Sequence, residues 1–491
     1  MPPAIPIIAA VAAYAGSTAA GATVFGLSVA TTASLAAGLA SLGSSLIVSS
    51  AMKPKTPDLP SRLDEPGAGR TQQFRNPIAP HQVVFGTARS SGPILFVHTL
   101  ADDAGRENGY LYFVHGLSGV RVKAIIDVWL NDDLSTAAQF SGLVRVNKHL
   151  GAADQAADTD LVAEIGGSYW NTNHRLRGRA YIATRLKSDP AAFPTGTPNL
   201  SALVQGTEGI YDVRTGVTRW TNNAALCAAH VLSAGYLGNI PLADIDADAL
   251  VAAANVCDER VRVLASAATF TADAGADTLT LSANARWLDF GDGVRVSSTG
   301  SLPAGLAADT TYYAVRAADG KIKLATSHDA AISGTAIDLT GAGTGTHTLT
   351  CWDEARYKCN GLFTLDMPWG DVLDHVLASM AGVRAEVGGR FYLYAGVAAM
   401  PTVTLDEDDL RGDLVVIPRR SMRDRINGVR AVISSPDANW QPADVPALRP
   451  TVILLDEDAG EELYGDMRLS FVTSTRQAQR LMKIERERTR R

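Results

Sequence analysis

The stretch YLYFVHG at residues 110–116 decides the class of fold, because aromatic and β-branched residues crowd a short run that ends at a glycine. A second apolar run at residues 120–130 follows closely and ends in the turn-forming sequence NDD. Runs of this composition between Gly, Pro, Asn and Asp are typical of antiparallel strands. Three further runs share the pattern: residues 80–86, 91–97 and 176–183. We therefore predict a β-rich domain over residues 74–261.

Length and charge indicate several domains of different character. The chain has 491 residues, which favours two to four domains, and its 46% hydrophobic content is enough to build real cores. The net charge of −7 gives no overall electrostatic reason to expect nucleic-acid binding. The charge is unevenly placed, since residues 1–52 carry no charged residue or histidine, whereas residues 476–491 hold seven basic and two acidic residues.

The uncharged start, residues 1–52, is rich in Ala, Gly, Ser and Thr. Small residues favour close helix packing over transfer into lipid, so we predict an apolar helical plug in an assembly. Its length also allows a membrane-active segment, and a signal peptide is the third alternative, although no basic residue precedes the apolar run. Residues 53–73 follow as a Pro-rich linker.

Helical spacing of apolar residues appears at residues 222–235 and 242–258. Asn222 or Asn223 is expected to cap the first helix, and Asp244 or Asp246 the second. Residues 262–352 then change to Thr, Gly and period-two alternation with frequent turns, which predicts an inserted β-sandwich or barrel module. We expect this module to protrude as an independent unit whose removal leaves the rest folded.

The remaining sequence returns to mixed α+β character over residues 353–472. A helix with apolar residues from Val372 to Met380 on one face should stop at Gly382, and a hairpin should turn at Gly388-Gly389. The sequence VTST at residues 472–475 is a capping signal for a basic helix over residues 473–491, which we expect to lead into a further C-terminal region. The predicted class is thus α+β, β-rich and multidomain.

A family resemblance rests on the order of many short motifs. Before the inserted module these are NP (76–77), VFGTAR (84–89), GP (92–93), DVWLND (127–132), LGAADQ (150–155), Trp170, HRLRGRAY (174–181), FPTGTPN (193–199), GIYDVRTG (209–216) and WTNNAALC (220–227). After the module they are RYKCNG (356–361), MPWG (367–370) and RINGVRAV (425–432). In this order the chain resembles the tail tip attachment, or central tail hub, proteins of long-tailed lambda-like bacteriophages, the host-specificity protein family.

The resemblance implies a structural virion protein that closes the tail tube at the distal tip of a siphophage, organises the tip complex and takes part in host attachment and genome delivery. It implies a homotrimer in the virion tail tip that is assembled in the host cytoplasm. The implied partners are the distal tail protein, the tape measure protein, other tail tip or fibre proteins and a host surface receptor. No catalytic residue, cofactor or metal site is inherited from the family, so the chain is predicted not to be an enzyme.

Two sets of residues invite a chemical interpretation. Cys227 and His230 are three residues apart on a predicted helix, but a closed metal site needs more ligands, and the four cysteines form no CxxC pair. The acidic runs at residues 406–409 and 456–462 could in principle supply paired carboxylates for glycoside hydrolysis, but adjacent carboxylates in loops are usually solvated. The second run also lacks the glycine and glutamate spacing of a calcium loop.

The sequence leaves two alternative functions open. The chain could be a membrane-interacting protein whose residues 1–52 insert into the host envelope during infection. It could also be a glycan-binding surface protein, with Trp287, Tyr312 and Tyr313 of the inserted module stacking on sugar rings, although aromatic residues in small β-domains are more often core.

Overall fold

The computed structural model divides the chain into two units, residues 1–62 and 63–491. The structure describes residues 23–24, 27–28, 78–263, 266–282, 288–398, 406 and 425–490. In the first unit, β1 (Thr23–Val24) pairs with β2 (Leu27–Ser28) in antiparallel fashion. These four residues are extended rather than helical, in line with the β-branched Thr23 and Val24. The rest of the predicted helical segment 1–52, and the linker 53–73, lie outside the described residues.

The second unit is α+β and β-rich, as predicted. Its described strands are β3 (Gln82–Phe85), β4 (Thr87–Ser90), β5 (Ile94–Leu100), β6 (Tyr110–Ser118), β7 (Val122–Leu130), β8 (Asp133–Leu134), β9 (Val144–His149), β10 (Ala180–Lys187), β11 (Leu200–Thr207), β12 (Ile210–Asp212), β13 (Val217–Arg219), β14 (Arg260–Arg262), β15 (Ala267–Asp273), β16 (Thr278–Leu281), β17 (Gly293–Ser298), β18 (Tyr312–Arg316), β19 (Ile322–Ala325), β20 (His347–Ala355), β21 (Gly361–Thr364), β22 (Val383–Val387), β23 (Arg390–Tyr394), β24 (Gly428–Ser435), β25 (Gln441–Leu448) and β26 (Tyr464–Leu469). Its described α-helices are α1 (Thr159–Ile165), α2 (Ala224–Ser233), α3 (Ala247–Asp258), α4 (His328–Ser333), α5 (Trp369–Ala378), α6 (Val452–Glu457) and α7 (Thr475–Arg490).

Two four-stranded antiparallel sheets form the first part of this unit, in the orders β5-β6-β10-β9 and β4-β11-β7-β8. The runs 110–116 and 120–130 are strands as predicted, but β6 and β7 belong to different sheets. Their inward side chains meet in one apolar core that includes Phe113, Val122, Ile125, Ile182 and Val204. The short connection between β6 and β7 is therefore a corner from one sheet to the other.

The helices pack on a second core and begin where the sequence predicts. The Asn223 side chain accepts hydrogen bonds from the backbone N–H groups of Ala225 and Leu226, so it is the cap of α2. Asp246 caps α3 by accepting from Ala249 N–H. The fully buried residues of α2 pack in the same core as apolar residues of α3, α5 and α7.

The inserted module is a closed six-stranded barrel. Its strands follow the order β20-β15-β16-β19-β18-β17, and β17 pairs again with β20 to close the circle. The interior is filled by side chains that include Phe270, Leu279, Val294, Tyr312 and Leu349. Strand β14 pairs with the end of β20 outside the closed circle. The boundaries of the six segments predicted from the sequence, including residues 262–352 for this module, remain predictions.

The chain before the barrel rejoins the chain after it. The N–H of Arg356 donates to the carbonyl of Glu259 at 2.9 Å, so the two connections of the barrel lie side by side. Strand β3 then pairs with β21, with Val84 opposite Leu362 and Phe85 opposite Gly361. Sequence on the two sides of the barrel thus builds one sheet.

The barrel does not protrude as an independent unit, contrary to our expectation. Phe290, Val315 and Ile332 of the module share a buried apolar cluster with body residues, among them Trp129 and Trp220. Three further body residues, Ile126, Leu203 and Trp440, belong to the same cluster. The outer surface of the barrel is apolar on this side, and contact with the body removes it from water.

The last part of the chain matches the sequence predictions closely. In α5, Val372, Leu373, Val376 and Leu377 are buried, and the helix ends at Ala378, before Gly382. The hairpin of β22 and β23 turns at two glycines with positive φ, Gly388 and Gly389. Ser474 accepts from the Gln477 N–H at 3.3 Å and caps α7. No helix in the described ranges is long and apolar enough to cross a membrane.

Candidate functional site

The joint between barrel and body is built around a buried lysine. Lys358 follows the barrel in sequence and is only 3% exposed. Its Nζ donates to Asp292 Oδ1 at 2.8 Å, and it lies 3.7 Å from Asp289 Oδ2 and 4.0 Å from Glu354 Oε2. Asp289 and Asp292 precede β17, and Glu354 is near the end of β20, so the barrel supplies all three carboxylates.

Helix α7 supplies the remaining cations. Arg480 Nη1 donates to Glu354 Oε1 at 2.8 Å, and Arg476 approaches Glu354 Oε2 at 3.3 Å. Gln477 lies between them on the helix, and its Nε2 donates to the Lys358 carbonyl at 2.8 Å. Three cationic side chains therefore face three carboxylates, which offsets the cost of removing each charge from water.

The charges in this joint are fixed by their neighbours. Burial alone would lower the pKa of Lys358, but the facing carboxylates outweigh it and raise the pKa to about 12. Burial alone would raise the pKa of Glu354, but Lys358, Arg476 and Arg480 lower it below its usual value. A lysine held protonated in this way is no nucleophile, and the cavity beside it measures about 20 Å³. The geometry is that of a structural connection.

Asn360 extends the joint to the first sheets. Its Nδ2 donates to Asp289 Oδ2 at 2.6 Å and to Thr473 Oγ1 at 2.9 Å, while its Oδ1 accepts from Thr87 N–H at 3.0 Å. Gly86 lies against this side chain with φ +55°, and a Cβ there would come within 2.0 Å of Asn360 Oδ1. The motif VFGTAR therefore carries its glycine where the backbone approaches the joint.

In the acidic run at residues 456–462, the carboxylates of Glu457 and Asp458 pair with arginines. Asp458 accepts from Arg490 Nη1 at 2.6 Å and from Asn427 Nδ2 at 2.9 Å, and it also pairs with Arg425 at 3.0 Å. Burial works to raise the pKa of Asp458, but Arg490 and Asn427 lower it below its usual value. This run anchors the last turn of α7. Of the other run, 406–409, only Asp406 belongs to the described residues.

Cys227 and His230 lie on α2 but do not converge on a common point. His230 Nε2 contacts Tyr236 Oη at 2.7 Å, and burial lowers the pKa of His230 to about 4. The Cys227 thiol is fully buried beside Cys359, and burial raises its pKa. Within the described ranges no three His, Cys, Asp or Glu side chains are grouped as metal ligands.

The structure gives the described aromatic residues that were considered for sugar binding other surroundings. Tyr312 is in the barrel core, where its hydroxyl accepts from Ala307 N–H at 2.8 Å. The Tyr313 ring is covered by the Arg260 guanidinium, whose central carbon lies 5.3 Å from the ring centroid. Trp287 lies outside the described residues. The aromatic side chain on the outer wall that sequence reasoning missed is Trp352, which is flanked by arginines on the neighbouring strands.

No protein-family model matches the chain, and no curated protein matches it. Among solved structures, the chain is similar to a chain of the virion of a native gene transfer agent particle, with 15% identity and a TM-score of 0.44. The alignment covers 96% of this chain and 85% of that chain. At this identity and TM-score, the likeness carries no inference about function.

Proposed function

We propose that this chain is a structural protein of a phage-type virion, the central hub at the distal tip of a long tail. The observation that carries the proposal is the pairing of β3 with β21. These strands belong to the two stretches of sequence that resemble the tail hub family, and about 90 residues of barrel separate the stretches. Their pairing in one sheet is what an insertion into a hub body requires.

The side chains also favour a structural role over catalysis. Glu354 in the barrel joint and Asp458 at the end of α7 are engaged by arginines, and the pKa of each is lowered despite burial. Burial raises the pKa of Asp292, but this carboxylate is enclosed and accepts from Lys358 Nζ. A glycosidase needs one carboxylic acid free to give its proton and a second carboxylate facing the substrate. The joint offers neither arrangement.

In this role three copies would surround the end of the tail tube, with the distal tail protein above and the tape measure protein inside. Residues 1–52 would fill the axis as an apolar plug, because an uncovered apolar segment of this length is avoided by proteins in water. Host attachment and genome delivery would follow from this position at the tip.

The first experiment measures the mass of the purified full chain by sedimentation. A species of three times the 51.7 kDa chain mass is expected, and it should bind a purified distal tail protein. A monomer that binds neither a distal tail protein nor a tape measure protein would contradict the hub proposal.

The second experiment distinguishes the plug from a membrane role for residues 1–52. Phage that carry the chain without these residues should fail to assemble tails if the segment is a plug. Normal particles that fail to deliver DNA would support the membrane alternative instead. Replacing Gly38 and Gly43 by leucine sharpens the distinction, because leucines should crowd a helix contact but strengthen lipid binding.

A further inference from the structure

An arginine–tryptophan–arginine stack lies on the outer wall of the barrel. The central carbon of the Arg262 guanidinium is 3.0 Å from the Trp352 ring centroid, and that of Arg295 is 3.5 Å from the same centroid. Two planar groups at these distances cannot share one side of the ring. The two guanidinium groups therefore cover opposite faces of the indole.

The strand order explains how the stack forms. Asp353 of β20 pairs with Arg262 of β14 on one edge and with Gly293 of β17 on the other. The register of β17 then shifts, so that Val294 pairs with Cys351 and Trp352 has no partner on that edge. Such a bulge re-aims a side chain, and here it leaves Trp352 between arginines from both neighbouring strands.

Among the described residues, no carboxylate balances the charge of this stack. In the part of the chain that the structure describes, neither Arg262 nor Arg295 pairs with a carboxylate, and the hydrogen bond of Arg295 goes from Nε to Thr311 Oγ1 at 3.2 Å. Their neighbour Arg260 is different, because it forms an ion pair with Asp353. Arg262 is exposed and Arg295 is half-buried, so both remain accessible from water.

The stack leaves the N–H edges of the two guanidinium groups open to a ligand. Since both faces of the Trp352 ring are covered, the ring cannot stack on a sugar or a nucleobase. The free N–H groups of an arginine fork match the oxygens of a phosphate or sulfate, and stacking on the indole holds the forks in place. Two cations held by one ring would also repel each other less with an anion between their edges.

We propose that Arg262 and Arg295, positioned by Trp352, form an oxyanion site for a phosphate group displayed at the surface of the host cell. This goes beyond the proposed hub function, because it gives the inserted barrel a binding activity of its own. It also differs from the sugar-stacking role that the sequence left open for Trp287, Tyr312 and Tyr313 of this module.

The test uses the full chain and inorganic pyrophosphate at low ionic strength, followed by calorimetry. The wild-type chain should bind, R262Q and R295Q should each bind about tenfold more weakly, and the double variant should show no binding, because each arginine contributes charged hydrogen bonds. R430Q is the matched control, since Arg430 also stacks on an aromatic ring, Tyr464 at 4.4 Å, far along the chain on β24. R430Q should bind as the wild type does.

Three results would overturn the proposal: no binding by the wild type, equal binding by the double variant, or an equal loss in R430Q. If the glutamine variants do not fold, R262K and R295K keep the charge without the planar fork, and binding as tight as in the wild type would also contradict the proposal.

A second arm identifies the source of the phosphate. Vesicles of phosphatidylglycerol are compared with vesicles of phosphatidylcholine, using the wild type and the double variant. Binding to phosphatidylglycerol that needs both arginines indicates a lipid headgroup. Binding of pyrophosphate without vesicle binding indicates a phosphate on a polymer of the cell envelope, and both outcomes keep the site.

Discussion

The two ends of helix α7 are held by the same chemistry in different surroundings. At its start, Arg476 and Arg480 contact Glu354 of the barrel, whose side chain is fully buried. Glu354 also faces Lys358, which follows the barrel in sequence. At its end, Arg490 contacts Asp458, which is also buried, and Glu457, whose side chain is 52% exposed. The first end joins three elements, whereas the second fastens a helix to a neighbouring turn.

This difference teaches where an ion pair determines the fold and where it only adjusts it. Exposed pairs contribute little, since water and salt screen them. In a buried group of charges, loss of one member leaves its partners uncompensated, which is far more costly than the group itself is stabilising. We therefore expect the buried charges at the start of α7 to be sensitive to single changes and the exposed Glu457 at its end to be tolerant.

The largest effect is expected from removing the barrel. Replacing residues 263–351 by a short Gly/Ser linker takes away Asp289 and Asp292 from Lys358 and uncovers Trp129 and Trp220. We expect little soluble, folded chain, measured by yield and by circular dichroism. A folded trimer after this deletion would show that the barrel is an independent module and that the joint is dispensable.

Next in size is the loss of the central cation. Lys358→Met should lower the free energy of unfolding by about 3–5 kcal/mol, because it leaves buried carboxylates without their partner. Urea unfolding measures this loss of free energy, and the double variant K358M/D292N should recover part of it. Lys483→Met on the exposed side of α7 is the control and should stay within about 0.5 kcal/mol of wild type. Equal effects at both positions would contradict the comparison.

An intermediate effect is expected from acid, and we assign it to His230 and not to Glu354 or Asp458. The pKa values of Glu354 and Asp458 are both lowered, so their contribution is complete above the unfolded values near 4 and is lost only below them. His230 differs, because its pKa of about 4 is below the unfolded value and the unfolded chain takes up the proton first. Between pH 7 and pH 5 it should cost about 2 kcal/mol of stability.

The measurement for this effect is urea unfolding of the wild type and of His230→Gln at both pH values. The variant should lose about 2 kcal/mol less than the wild type over this range, whatever its stability at pH 7. A pH dependence that is unchanged in the variant would mean that His230 is not held neutral in the folded chain.

The smallest effect is expected at the end of α7. Glu457→Gln removes the exposed charge that Arg490 and Arg425 contact, and the loss should be below about 1 kcal/mol at low salt. It should shrink in 1 M salt, where the screening length is only about 3 Å. A loss as large as that of Lys358→Met, and independent of salt, would mean that the two ends of the helix do not differ in kind.

Local features of the fold could be predicted from the sequence, because their causes are close together in the chain. Asn223 and Asp246 cap helices a few residues away, Gly388 and Gly389 make their own turn, and the period-two pattern of the module predicts strands. Each of these follows from backbone preferences or hydrogen bonds within one element.

The joint could not be predicted, because its residues meet only in three dimensions. From the sequence alone, Lys358 is expected to be an ordinary surface lysine. Its partner Asp292 is 66 positions earlier, in a segment rich in turns. The Trp352 stack depends on a register shift between β17 and β20, and the sequence pattern of neither strand predicts this shift. The buried position of Glu354 could not be predicted for the same reason, because the arginines that contact it come from a helix more than a hundred residues later.

The pairing of β3 with β21 has a consequence for how the chain is made. Val84 must wait for Leu362 to leave the ribosome, which takes about 15–55 s at ordinary rates of synthesis. Throughout that interval an apolar strand at the start of the body has an open edge, while the hairpins of the barrel between them can form from local pairings. The barrel itself closes only through β20, which leaves the ribosome just before β21, so the barrel and the β3–β21 pairing are expected to be completed together, late in synthesis.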